Sequence, residues 1–109
     1  MNKLSLASIA FVALAMTSAA MAGNASGHIT HIEAYGNAVI FAVENNPSPA
    51  PCATGPDFVV NASTSEGKTM YASLLTAVAA DKSISIYSAN ACPSWWPNSE
   101  TPNAVTIVR

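Results

Sequence analysis

The sequence predicts a small, mainly β domain that carries one helix, and three observations support this. A single stretch with helical periodicity, residues 63–82, lies between short apolar runs that have the composition of strands. Two proline-rich segments, 45–57 and 92–103, separate those runs and have to be loops, because proline cannot continue a helix or a central strand. Each loop contains one cysteine, Cys52 in the first and Cys92 in the second.

The helix has a recognisable start and one apolar face. Ser63 followed three residues later by Glu66 fits a capping box, and Thr64 or Ser65 is the alternative cap. Beyond the cap, large apolar side chains recur at helical spacing and predict one buried stripe. The residues of the stripe are Met70, Tyr71, Leu74, Leu75 and Val78. We expect the Met70, Leu74 and Val78 side of the helix to close the open end of a rolled sheet.

Five segments have strand patterns. Residues 28–35 and 38–44 flank the turn signal Gly36-Asn37, so they predict a hairpin. Apolar residues occupy both faces of the 38–44 segment, which indicates a strand covered on both sides. The other strands are predicted at residues 58–62, 84–89 and 104–109.

The order of three strands, a helix and two strands is that of an OB-fold. This fold is a five-stranded Greek-key barrel, here expected with the helix at one end. Closing the sheet into a barrel would also remove the exposed edges that short apolar strands otherwise present. The alternative is an open α+β sheet with one packed helix.

The start of the chain has the pattern of an export signal. A short apolar run ends in small residues, and Ala20 and Ala22 match a signal-peptidase site. The run is shorter than the roughly 20 residues that a membrane-spanning helix needs. We therefore predict a signal peptide at 1–22, no membrane anchor, and a single secreted or periplasmic bacterial domain at 23–109. Its first residues, 23–27, are small and polar and are expected to be frayed.

The charge of the predicted domain excludes two classes of function, and its cysteines predict a disulfide. Residues 23–109 contain three basic and six acidic residues, a formal charge of −3. Such a domain lacks the electrostatic footprint of a nucleic-acid binder or of a protein that binds anionic membranes. In an oxidising compartment Cys52 and Cys92 are expected to form a disulfide. They are 40 residues apart, so the bridge would stabilise the domain by about 4 kcal/mol.

Two segments also resemble known proteins. Residues 27–41 (GHITHIEAYGNAVIF) and 67–92 (GKTMYASLLTAVAADKSISIYSANAC), together with the single Cys52 between them, resemble a family of small secreted bacterial OB-fold-like proteins. More distantly, the hairpin, long loop, strand, helix and Ile-Tyr strand resemble the enterotoxin-type B subunits, which include the subtilase cytotoxin B subunit. This resemblance implies an OB-fold, a pentameric ring and binding of cell-surface glycans. It implies no sugar-contacting residue, because the second loop with its paired tryptophans departs from the toxin pattern.

Patterns for catalysis or metal binding have simpler explanations here. His28 and His31 are three residues apart, so on a strand they point to opposite faces and predict no metal site. Glu33 and Glu44 could form a carboxylate pair for acid–base chemistry, but solvated strand ends explain both. The Gly-Lys-Thr triplet at 67–69 lacks the upstream glycine of a P-loop. We predict no enzymatic activity and no cofactor.

The paired tryptophans are the best functional candidates. They lie in the loop between the last two strands, which in OB-folds helps to line the face that binds oligosaccharides and oligonucleotides. Indole rings can stack on sugars while amide groups bind hydroxyls. The candidate ligand-binding residues are Trp95, Trp96, Asn98 and Tyr87. One tryptophan is expected to pack structurally, and the other to be exposed at a ligand site or a subunit interface.

These observations favour an exported, non-enzymatic binding domain. Its expected partners are a glycan or a protein, with a homo-oligomer as a further expectation and nucleic acid excluded by charge. The alternative is a periplasmic inhibitor or accessory protein that acts on one protein partner.

Overall fold

The structure, a computed structural model, describes residues 24–109. The predicted signal peptide at 1–22 lies outside the described residues. The described elements follow the predicted order: β1 (Ala25–Tyr35), β2 (Ala38–Asn45), β3 (Phe58–Asn61), α1 (Ser65–Ala79), β4 (Ser83–Ser88) and β5 (Pro102–Val108). The prediction of a mainly β domain with one helix is confirmed for this part of the chain. Within it, no helix is long and apolar enough to cross a membrane.

The five strands form one antiparallel sheet in the order β3-β2-β1-β4-β5. The long β1 pairs with β2 along most of its length and with β4 at its start. The edges of the sheet meet only at a single parallel bridge between Phe58 of β3 and Glu100, which lies before β5. The sheet is therefore open, and a closed barrel stays a prediction.

β1 begins at Ala25, which corrects the expected fraying for residues 25–27. Ala25 is fully buried and pairs with Ile86 of β4. Gly27 has a φ of 120°, a conformation that residues with a side chain rarely adopt, and a Cβ there would lie 2.7 Å from Glu44 Oε1. Glycine thus lets β1 bend where its pairing with β4 ends and its register with β2 shifts. Small residues carry no apolar alternation, so the sequence did not reveal this part of the strand.

Glu44 fixes this bend. Its Oε1 accepts a hydrogen bond from the His28 backbone N–H at 2.7 Å and lies 3.3 Å from His28 Nδ1. The bond from the backbone donor, followed by the contact with the ring, lowers the pKa of Glu44 below its ordinary value. The unfolded chain therefore binds a proton more readily at this carboxylate than the folded chain does.

Replacing Glu44 with glutamine is expected to lower stability at neutral pH and to reduce the loss of stability on acidification. The lowered pKa makes the carboxylate stabilising above its unfolded pKa, and this contribution is lost as the pH falls through the folded value. Urea unfolding from neutral to acid pH measures both effects. An unchanged acid profile for Glu44→Gln would contradict the assignment.

The main core lies between one face of the sheet and α1. Phe41 of β2 and Phe58 of β3 stack with ring centroids 5.5 Å apart. Around them lie buried residues from the strands and the helix, among them Val39, Val60, Leu74, Ile84 and Ile86. The opposite face of β2 and β3 is buried too, in a second cluster of Ala38, Ile40 and Val59. This confirms that β2 is covered on both sides.

The buried face of α1 is narrower than the predicted stripe. Leu74 and Ala77 are buried, but Leu75 is 47% exposed and Val78 is 51% exposed. Each helical residue is rotated by about 100° from the one before it, so Leu75 lies a quarter-turn away from Leu74. Met70 and Tyr71 pack partly buried against the core. The prediction that Leu74, Met70 and Tyr71 pack against the core is therefore confirmed, and burial of Leu75 and Val78 was wrong. Closure of a rolled sheet by this side of the helix stays a prediction.

The helix begins with the alternative cap. Thr64 Oγ1 accepts the Gly67 N–H at 2.9 Å, while Ser63 donates its hydroxyl to Asn61 Oδ1. The Ser63 capping box was therefore wrong. The helix ends at Ala79, before the predicted 82, and Asp81 follows with a positive φ of 54°.

Candidate functional site

The two proline-rich loops are joined to each other. Cys52 and Cys92 form the predicted disulfide, with an S–S distance of 2.06 Å. The Thr54 N–H also donates to the Asn98 carbonyl at 2.9 Å. The loop that carries the tryptophans is thus tied to the loop that precedes β3.

Glu100 is a fully buried carboxylate at this junction. Its Oε2 accepts the Ala50 N–H at 3.2 Å, and its Oε1 accepts the Ser88 hydroxyl. Its backbone carbonyl accepts the Val59 N–H at 2.9 Å. One residue therefore connects both loops to β3 and to the end of β4.

Replacing Glu100 with alanine is expected to lower the free energy of unfolding by about 3 kcal/mol, because two donors would lose their acceptor inside the protein. Glu100→Gln keeps the shape and one acceptor, so about 1 kcal/mol is expected. Chemical denaturation measures both changes. Glu33→Gln, at an exposed position, serves as control and should stay within about 0.5 kcal/mol of wild type. Equal stability of the two Glu100 variants would show that its hydrogen bonds contribute little.

The two tryptophans have different surroundings, as expected. Trp96 packs against the second buried cluster and stacks on Tyr35, with ring centroids 5.7 Å apart and planes at 29°. Trp95 is 43% exposed and lines a cavity of about 180 Å³. Trp96 is thus the structural indole, and Trp95 is the one available to a ligand.

The cavity lies in the gap that the open sheet leaves between β3 and β5. The first turn of α1 forms a third wall. Its apolar lining includes Trp95, Val60, Met70 and Pro102. Its polar lining consists of Asn61, Thr64, Glu66 and Thr101. An aromatic ring thus faces the same space as amide, hydroxyl and carboxylate groups.

Of the four predicted ligand-binding residues, only Trp95 lines this cavity. Trp96 is engaged in packing, and the Asn98 carbonyl accepts bonds from Thr54. Tyr87 is 65% exposed on β4, where it pairs with Ala104 of β5. Ligand binding by Trp96, Asn98 and Tyr87 stays a prediction without support from a shared cavity.

The polar residues of the cavity were missed by the sequence analysis. Asn61, Thr64 and Glu66 belong to the junction between β3 and α1, while Thr101 immediately precedes β5. Only the close succession of a strand and a helix hinted that the junction is compact. The sheet brings these two segments together, and no local pattern records that approach.

The histidines occupy separate surface positions. His28 Nε2 lies 3.8 Å from Asp81, on the side opposite its Glu44 contact. His31 Nε2 lies 3.5 Å from Asp57 and 3.8 Å from Glu33. Within residues 24–109, no three His, Cys, Asp or Glu side chains are grouped so that they could hold a metal ion.

The two hairpin carboxylates also have separate partners. Glu44 binds His28, whereas Glu33 accepts a hydrogen bond from the Tyr35 hydroxyl at 3.1 Å. This bond to the neutral phenol, with the nearby negative charge, raises the pKa of Tyr35. The two carboxylates therefore do not act on one shared proton.

Comparison with protein-family models, curated proteins and solved structures gave no match. The resemblance to enterotoxin-type B subunits stays a prediction.

Proposed function

We propose that this chain is an exported, non-enzymatic binding domain that recognises carbohydrate at the cavity beside Trp95. The observation that carries the proposal is the half-exposed Trp95 indole, which shares a cavity with hydrogen-bonding side chains. A sugar ring has an apolar face and a rim of hydroxyls, so it needs both kinds of group. The disulfide supports export, since such bonds persist in oxidising compartments.

An OB-fold-like barrel is the architecture we propose for this domain. The order β3-β2-β1-β4-β5 and the parallel bridge between Phe58 and Glu100 support it, because they bring the two edges of the sheet together. The helix lies between β3 and β4 in the chain, as the fold requires. An OB barrel is often only partly closed, so a gap between β3 and β5 is compatible with it.

The usual ligand face of such a barrel is occupied by the chain itself. That face comprises the second and third strands with the loops beside them. Here the outer face of β2 and β3 is covered by Trp96, and the cluster it covers is almost fully buried. We therefore place the ligand between β3 and β5, in the gap beside Trp95.

The size of the cavity supports a small ligand group. Pockets for drug-sized molecules measure about 300–1,000 Å³, whereas this cavity measures about 180 Å³. It suits one sugar ring with the rest of a glycan outside. This is the mode expected of a domain that binds glycan ends at a surface.

Replacing Trp95 with alanine is expected to weaken glycan binding about 5- to 150-fold, since loss of an aromatic contact at a binding site costs on the order of 1–3 kcal/mol. Binding of the purified protein to a glycan array, followed by calorimetry on the best ligands, measures this. Trp95 is partly exposed, so its loss should change stability by less than about 1 kcal/mol.

Trp96→Ala is the matched control. It removes the packed indole, so it should lower the free energy of unfolding by about 2–3 kcal/mol while the folded fraction still binds glycan. Loss of binding in Trp96→Ala alone would contradict the proposed site. If the wild-type protein binds no glycan, the carbohydrate proposal fails. If it then captures one protein partner in a stoichiometric complex, the alternative of an accessory protein takes its place.

A further inference from the structure

We infer, on the basis of the proposed function, that the cavity beside Trp95 binds the uncharged terminal ring of a glycan and rejects acidic sugars. Two features carry this inference. One is the small volume of the cavity, and the other is the single charge on its wall, which no ion pair among the described residues neutralises.

The small volume of the cavity, about 180 Å³, suits one ring at the end of a chain. The end of β3, the first turn of α1 and the Thr101-Pro102 segment form three sides, and the Trp95 indole forms another. A ring within a chain needs two exits for its glycosidic bonds. A terminal ring needs one, which matches a small cavity that opens to the surface beside a half-exposed indole.

Among residues 24–109, Glu66 is the one charged residue that lines the cavity. The nearest basic residue in sequence, Lys68, is two positions further along α1 and therefore points about 200° away around the helix. Among the described residues, the ion pairs within 4 Å all involve His28 or His31. Within that part of the chain, no ion pair within 4 Å therefore neutralises the Glu66 carboxylate, which accepts a hydrogen bond only from the neutral Ser65 hydroxyl at 3.4 Å, so a second negative charge in the cavity would be repelled.

The start of the helix does not offset this repulsion. Helix N-termini attract anions through free N–H groups and the helix dipole. Here the Gly67 N–H is already bound by Thr64 Oγ1 at 2.9 Å. Glu66 also places its own negative charge in the first turn. The Thr64 hydroxyl and the Glu66 carboxylate thus already lie at the start of the helix, where an anion would bind.

The polar groups suit hydroxyls and amides. Asn61 Oδ1 accepts two hydrogen bonds from Ser63, from its N–H and its hydroxyl. This leaves the Asn61 NH₂ group to donate to a ligand, while the Glu66 carboxylate accepts. A sugar hydroxyl can both donate and accept, and an acetamido group carries one N–H and one carbonyl. A sugar carboxylate only accepts, so it cannot satisfy Glu66.

The experiment compares oligosaccharides that share one core and differ in the terminal ring. The termini are a neutral hexose, an N-acetylhexosamine, and a uronic or sialic acid, each titrated into the wild-type protein by calorimetry. We expect the neutral termini to bind at least about tenfold more tightly than the acidic ones. Glu66→Gln should lower the ratio of the neutral-terminus affinity to the acidic-terminus affinity about three- to tenfold. Asp57→Asn removes one negative charge elsewhere and should alter neither.

The possible failures are distinguishable. A wild-type preference for acidic termini that is lost in Trp95→Ala would overturn this inference and leave the proposed function standing. If Glu66→Gln and Asp57→Asn change the affinity for acidic termini equally, the proposed role of Glu66 is wrong. If no terminus binds at all, both this inference and the carbohydrate proposal fail.

Discussion

Replacing Cys52 and Cys92 together with serine is expected to lower the free energy of unfolding by about 4 kcal/mol. The disulfide closes a loop across 40 residues, and without it the unfolded chain gains the conformational entropy that the bridge removes. For a domain of this size, that change corresponds to a fall in Tm of roughly 15–30 °C. Calorimetric and urea unfolding measure it. Since small domains are stable by only about 5–15 kcal/mol, the variant is expected to be marginal at physiological temperature.

Reduction provides the control for this prediction. A thiol reductant should destabilise the wild-type protein by a similar amount and leave the double serine variant unchanged. A variant within 1 kcal/mol of wild type would mean that the other bonds between the loops, such as Thr54 to Asn98 and Ala50 to Glu100, already fix the loops. In that case the disulfide would not be needed to hold the two loops beside the Trp95 cavity.

Gly67→Ala is expected to destabilise the protein by about 3 kcal/mol, although alanine is the better helix former by about 1 kcal/mol. A Cβ at Gly67 would lie 1.7 Å from the Asn61 carbonyl oxygen, and carbon and oxygen cannot approach so closely. Either the helix or the end of β3 must move. The Asn61 carbonyl also accepts the Thr64 N–H and hydroxyl, so movement weakens the helix cap as well.

The control for Gly67 is a glycine with free space. A Cβ at Gly55 meets no atom within 4 Å, so Gly55→Ala should be neutral or stabilise slightly by restricting the unfolded chain. The difference between the free energies of unfolding of the two variants measures the cost of the steric clash at position 67. Equal stabilities would contradict the close approach of α1 to β3, and with it the narrow wall of the cavity.

Local signals predicted most of the architecture. The Gly36-Asn37 turn, the apolar run of β2 and the prolines of both loops each act within a few residues, and the structure confirms each of them. The pairing of Cys52 with Cys92 followed from there being two cysteines in a chain predicted to be exported. These features need little information from distant parts of the sequence.

The remaining features depend on contacts that no local pattern records. Ala25 lies in a strand because Gly27 lets β1 bend toward β4. Leu75 is exposed because α1 packs through Gly67, Leu74 and Ala77, and small residues let the helix lie close to the sheet. The sequence indicated Trp95 as a ligand-binding candidate because it lies in the loop between the last two strands. Its polar neighbours became visible only when the gap between β3 and β5 was known.

The central claim is that this gap, with Trp95 at its mouth, is where a neutral glycan end binds. Two-dimensional NMR during titration with an oligosaccharide that ends in a neutral ring tests it most directly. We predict that the Trp95 indole N–H, the Asn61 side-chain amide and the Thr101 amide shift together and saturate. Shifts confined to the exposed Tyr87 and Ala104 face of β4 and β5, or none at a saturating concentration, would contradict it.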